Sequence, residues 1–219
     1  MYLFHSCLAA GSNSTTTFTI VNKCSLIVFP AIFHGAETTL PSSTGFSLHP
    51  GNSTVLTMPS TWSGSLWGRT HCSHSDGKFS CLTGNCASST IECNGVNASA
   101  PATLAEFNLN ATSSGYDFFD VSVVNGYNLA MMVEAQVGNG FVDCMTRGCR
   151  LDLNKTCPSE LKVMSGGDCI GCSATQPFSK YSEFFTKACP RAKVDASTFQ
   201  ISVCASTDYL ITFCPTPTR

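Results

Sequence analysis

Short runs of alternating apolar and polar residues fill the first two-thirds of the chain. Phe18, Ile20 and their neighbours alternate loosely. Leu26 to Phe29 forms a compact apolar run stopped by Pro30, and Ser53 to Met58 and Ser65 to Thr70 are further short candidates. Asp117 to Val124 is the clearest. Extended, it sets Phe119, Val121 and Val123 on one face and Asp120 and Ser122 on the other. Asn125-Gly126 follows, a dipeptide suited to a type I′ turn, and predicts a hairpin with Tyr127 to Val133 as the returning strand. Many short strands separated by Gly, Pro, Ser and Asn predict a mainly β chain folded as a sandwich or barrel.

The pattern changes at Cys144, after which cysteines crowd up to Cys189. One helix is predicted there, Ser179 to Cys189, because Tyr181, Phe184 and Phe185 recur at helical spacing and Pro190 ends the run. Strand pattern then returns, with Phe199, Ile201 and Val203 alternating, and later Tyr209, Ile211 and Phe213. The expected division is a tail at 1–16, a β body at 17–143 and 190–219, and a disulfide-rich lobe at 144–189.

Composition narrows the class. The chain has 219 residues, of which 43% are hydrophobic and 12% charged, against about 25% charged in an average protein. That is enough apolar material for a sizeable core. The net charge of −2 comes without any basic run, which excludes the electrostatic footprint of nucleic-acid binding. Fourteen cysteines point to an oxidising compartment. N-x-[ST] sequons at Asn13, Asn52, Asn97, Asn110 and Asn154 give the same indication of a secreted, extracellular glycoprotein. Met1 to Ala10 reads as a signal-peptide remnant, and no apolar stretch is long enough to cross a membrane as a helix. Cys169-x-x-Cys172 and the group His71, Cys72 and His74 have metal-like spacing. No second C-x-x-C follows at finger distance, so neither a metal nor a cofactor is expected.

Several ordered motifs resemble the thaumatin family, in its plant pathogenesis-related form. They are FTIVNKC from Phe18, SLWGRTHC from Ser65, GKFSCLTGNC from Gly77, TLAEF from Thr103, YDFFDVSVVNGYN from Tyr116, RGC from Arg147, YSEFF with a following CP, and YLITFCP from Tyr209. The likeness spans nearly the whole chain. It implies a flattened β-sandwich beside a disulfide-rich lobe, with a cleft between them, and a monomer. It also implies disulfides joining Cys24 with Cys214, Cys72 with Cys81, Cys86 with Cys93, Cys144 with Cys204, Cys149 with Cys189, and Cys157 with Cys169. The region after Cys172 is shortened relative to the family, which leaves Cys172 as the expected free thiol; Cys7 would be its partner only if the N-terminal tail is kept.

Carried over motif by motif, the family's acidic cleft falls on Arg69, Glu106, Asp120, Asn125 and Asp195. The resemblance implies a defence protein acting on fungi by binding β-1,3-glucan or other cell-wall carbohydrate, or fungal membrane or surface proteins. Carboxylates suit sugar hydroxyls because charge-assisted hydrogen bonds are about twice as strong as neutral ones. Two further classes stay open at this point. One is a weak endo-β-1,3-glucanase using Glu106 and Asp120, with Glu106 as the protonated acid; Asn125, an amide where the family has an aspartate, argues against it. The other is a non-catalytic inhibitor. Arg69, Glu106 and Asp120 also admit a purely structural ion network. Trp62, Trp67 and Tyr127 are expected in the packing rather than as sugar platforms.

Overall fold

The computed structural model describes residues 15–35, 38, 40–138, 144–174, 178–197 and 200–215. Two β-sheets face one another. The first has five strands in the order β3 (Ser53–Met58), β1 (Thr16–Asn22), β13 (Ser206–Phe213), β8 (Met131–Gly138) and β9 (Arg147–Cys149). The second runs β12 (Ser202–Cys204), β7 (Asp117–Ser122), β6 (Leu104–Asn108), β4 (Ser63–Ser75) and β2 (Phe29–His34). The far end of β4 also pairs with β5 (Lys78–Thr83).

Alternation explains the core. Phe18 and Ile20 of β1, Phe107 of β6, Phe119 and Val121 of β7, and Tyr209, Ile211 and Phe213 of β13 all turn inward. Phe107 is the hub, its ring centroid 4.5 Å from Phe18, 5.6 Å from Phe119 and 5.2 Å from Tyr209. Because side chains alternate along a strand, burying Phe107, Phe119 and Val121 turns Glu106 and Asp120 to the other face of the second sheet. Trp62, Trp67 and Tyr127 are fully buried, in the packing as expected.

A smaller cluster centres on the cysteine-rich segment. It contains a 3-10 turn (Ser159–Leu161), a hairpin of β10 (Lys162–Ser165) with β11 (Asp168–Cys172), and α1 (Phe178–Ala188). Tyr181 and Phe185 of the helix are buried against Tyr127, Leu153, Leu161 and Cys172. The Tyr181 hydroxyl donates to the Val123 carbonyl and that of Tyr127 to Leu151 O at 2.7 Å, so tyrosines bond this cluster to the segment that follows β7.

Three sequence expectations change. The Asn125-Gly126 turn forms, with Gly126 N bonded to Val123 O at 3.0 Å, but it makes no hairpin. β7 pairs with β6 and β12, while the residues after the turn pass to β11 through Tyr127 and Cys172 and then enter the other sheet as β8. Pro30 does not stop a strand: β2 runs through it, at the edge of its sheet where a missing N–H is tolerated. In β12 it is Ser202 and Cys204 that are buried, and Ile201, just before the strand, is 40% exposed; Phe199 lies outside the described residues. Tyr209, Ile211 and Phe213 alternate inward as their pattern indicates.

Sulfur–sulfur bonds join Cys24 with Cys214, Cys72 with Cys81, Cys86 with Cys93, Cys144 with Cys204, and Cys149 with Cys189. These coincide with the pairings the resemblance implies. The sixth differs: Cys157 is joined to Cys172, not to Cys169, and Cys169 carries the free thiol. The antiparallel exchange between Tyr127 and Cys172 seats Cys172 inside the lobe cluster, whereas Cys169 is only half-buried near the hairpin turn. Cys7 lies outside the described residues.

Candidate functional site

Two carboxylates meet on the face of the second sheet turned away from the sandwich core. The β6–β7 register sets Glu106 directly opposite Asp120, so the two side chains leave the same face as cross-strand neighbours. A third residue completes the group. Lys193 N donates to Val121 O at 2.8 Å and Lys193 O accepts from Val123 N at 2.9 Å, which lays the segment after the helix alongside β7. The Lys193 ammonium stands 3.2 Å from Glu106 Oε2 and 3.5 Å from Asp120 Oδ2.

The three groups differ in their access to water. The side chains of Glu106 and Lys193 are 39% and 27% exposed, that of Asp120 only 8%. Burial, and then the neighbouring Glu106 charge, push the Asp120 carboxyl up to about 7, with Lys193 opposing both. Asp120 Oδ1 is buried without a hydrogen-bond partner. Asp120 therefore holds its proton to higher pH than an ordinary aspartate. The same burial and charge balance raise Lys193 above the ordinary lysine value, the two acids outweighing its desolvation.

Arg69 does not join them. Its side chain is completely buried and donates from Nε to Phe29 O (3.1 Å) and from Nη2 to Pro30 O (3.3 Å) and Ile91 O (2.6 Å). The guanidinium lies 5.1 Å from the centre of the Phe79 ring. Desolvation lowers it to about 10, and the charge of Glu92 partly restores it. Glu92 in turn accepts from Thr44 N, the Thr44 hydroxyl and the Ser43 hydroxyl. Arg69 and Glu92 thus pin the 86–93 loop against the 43–45 segment, which is a structural task. Gly45 is needed there: a Cβ on it would come within 2.0 Å of Ile91 O.

Asn125 and Asp195 are also spent locally. Asn125 Nδ2 donates to Ala98 O at 3.3 Å, holding the loop that leads into β6. Asp195 accepts from the Ser182 hydroxyl of α1 (3.2 Å) and from Ser197 N (2.9 Å). Of the expected cleft residues, the structure brings together Glu106 and Asp120. Lys193 escaped the sequence reading because it sits in no motif; its only sequence signal is a cation three residues after the Pro190 that ends the helix. A separate cavity of about 450 Å³ is lined by Lys23, Leu26, Leu129, Arg150 and Pro215 among others, and by none of these site residues.

The family model described as the thaumatin family matches residues 22–178. The chain belongs to the thaumatin family. It is 42% identical to thaumatin-like protein 1 of Arabidopsis thaliana over 99% of this chain and 92% of that protein. It is 38% identical to a glucan endo-1,3-beta-glucosidase of Prunus avium over 95% of this chain and 94% of that protein. Among solved structures, the thaumatin-like xylanase inhibitor aligns over 90% of this chain and 99% of its own, with a TM-score of 0.54 and 26% identity. Thaumatin-family relatives therefore include both a protein named for hydrolysing a glucan and one named for inhibiting a xylanase. Membership fixes the fold and the disulfide-rich, pathogenesis-related class. What this thaumatin-family chain does with its carboxylates has to be argued from the site.

Proposed function

We propose that this protein is a secreted antifungal defence protein whose Glu106–Asp120 face binds β-1,3-glucan or related cell-wall carbohydrate without cleaving it. The observation that carries the reading is the placement of the Lys193 ammonium between the two carboxylates. Retaining glycosidases hold their carboxyl groups about 5–5.5 Å apart with the sugar between them, and inverting ones leave about 6.5–9.5 Å for a water. Here a protein cation stands 3.2 Å from Glu106 Oε2 and 3.5 Å from Asp120 Oδ2 and occupies one oxygen of each acid. Asp120 lacks access to a glycosidic oxygen, because its carboxyl group is buried and set against Lys193. Binding asks for less. The exposed edge of Glu106 accepts hydroxyls, and each charge-assisted bond contributes about 1.5–3 kcal/mol.

Secretion is supported by the six disulfides, which persist in oxidising compartments. Of the sequons, Asn52, Asn97 and Asn110 are exposed and are the proposed glycan acceptors. Asn154 is half-buried with Nδ2 bonded to Asn128 O at 2.9 Å, an unsuitable acceptor; Asn13 lies outside the described residues.

The test is co-sedimentation with insoluble β-1,3-glucan, with reducing-end release recorded in the same tubes. The expected outcome is binding without release, weakened about tenfold in Glu106→Gln by loss of the charge-assisted acceptor. Release that disappears in Glu106→Gln would make the protein a glucanase. Absence of both binding and release would leave the carboxylates a structural ion cluster.

A further inference from the structure

The carboxylate pair carries its own cation, and the backbone fixes that cation in place. Ion pairs between long exposed side chains contribute little, because both chains must be held in one geometry. Lys193 is different in two respects. Its main chain is bonded on both sides to β7, the strand that bears Asp120, and its side chain is three-quarters buried. Each inner carboxylate oxygen, Glu106 Oε2 and Asp120 Oδ2, is occupied by the same nitrogen. Glu106, with its side chain 39% exposed, is the acid of the pair that a ligand can reach.

We propose that Lys193 is the specificity-determining residue of this site, a built-in ammonium that restricts it to neutral, hydroxyl-bearing sugars and excludes amino sugars. The inference rests on the sugar-binding reading above. An uncharged hydroxyl donates to the exposed edge of the Glu106 carboxylate and meets no repulsion. A protonated amino group seeks the position that the Lys193 ammonium holds against Glu106 and Asp120, finds it filled, and faces a like charge at close range; such juxtapositions are the repulsive element by which sites reject a near-identical ligand. Removing the ammonium vacates that position and makes the site more negative by one charge. An amine on a sugar ring then takes the place of the lysine.

The experiment is calorimetric titration at mildly acidic pH with two probes, a β-1,3-linked glucose tetramer and a fully deacetylated glucosamine tetramer. The unsubstituted protein is expected to bind the glucose tetramer and to bind the glucosamine tetramer at least about tenfold more weakly. Lys193→Met and Lys193→Gln are each expected to gain at least about tenfold for the glucosamine tetramer. Glu106→Gln added to either removes the gain. Equal glucosamine affinity in the unsubstituted protein and in both variants, with melting curves showing the variants folded, overturns the inference. A gain for glucosamine together with no glucose-tetramer binding by the unsubstituted protein would leave Lys193's role standing and overturn the glucan reading instead.

Discussion

Asp120 illustrates how one buried atom couples stability to pH. Its carboxyl ordinarily titrates near 3.8 and is raised to about 7 in the folded chain, so the folded state binds a proton that the unfolded state has released. The sign follows: stability associated with Asp120 is complete below about pH 4 and is lost as pH rises towards 7. Glu92 works in the opposite direction. Its hydroxyl and amide donors outweigh its desolvation and hold it below the ordinary glutamate value, so its contribution is present at neutral pH and is lost on acidification. Asp120→Asn should flatten the decline between pH 4 and 7 while leaving the acid limb, and thermal melts across pH 3–8 would show it. Each tenfold difference in acidity between folded and unfolded chain corresponds to about 1.4 kcal/mol, so the difference is measurable. A variant whose stability still falls over that window would place the proton elsewhere.

Elements were legible where one face met the core. The alternation of Phe119 and Val121, and of Tyr209, Ile211 and Phe213, described strands whose inward residues are buried as their pattern indicates. The helix was legible from Tyr181 and Phe185 for the same reason. Pairing was not. Asn125-Gly126 encodes a local turn, and a dipeptide contains no information on which sheet receives the strand that follows it; the bond between Tyr127 and Cys172 decides that, and it joins residues far apart in sequence. Gly126 still has a strict requirement. It adopts φ +86, and a Cβ there would lie 2.8 Å from Cys172 O and 2.8 Å from Pro101 Cβ. Gly126→Ala should therefore destabilise by about 2 kcal/mol or more, seen as a lower urea midpoint; an unchanged midpoint would mean the crossing between sheets can shift to admit a methyl group. The site was half legible. Glu106 and Asp120 stand opposite each other through β6–β7 register, but Arg69 was hidden because burial of a cation under a distant loop leaves no trace in local pattern.

At the scale of the whole molecule, the bond between Cys24 and Cys214 closes a loop of sequence separation 190. In the chain-entropy description, restraining so long a loop is worth about 5 kcal/mol, among the larger contributions a single bridge makes. Replacing both residues by serine should lower the melting temperature more than replacing Cys72 and Cys81, whose separation is 9; the reverse order in differential scanning calorimetry would show that strain or residual structure, not loop length, governs the bridges.

The central place of β13 has a further consequence. It lies between β1 and β8, parallel to the first and antiparallel to the second, so the strand made last completes the sheet begun by the strand made first. On a ribosome, β1 and β3 wait with an open edge until Ser206 to Phe213 emerge. The first sheet cannot assemble stepwise behind the growing chain. Completion of this sheet, and closure of the bond between Cys24 and Cys214, both wait for residues 206–214 to emerge.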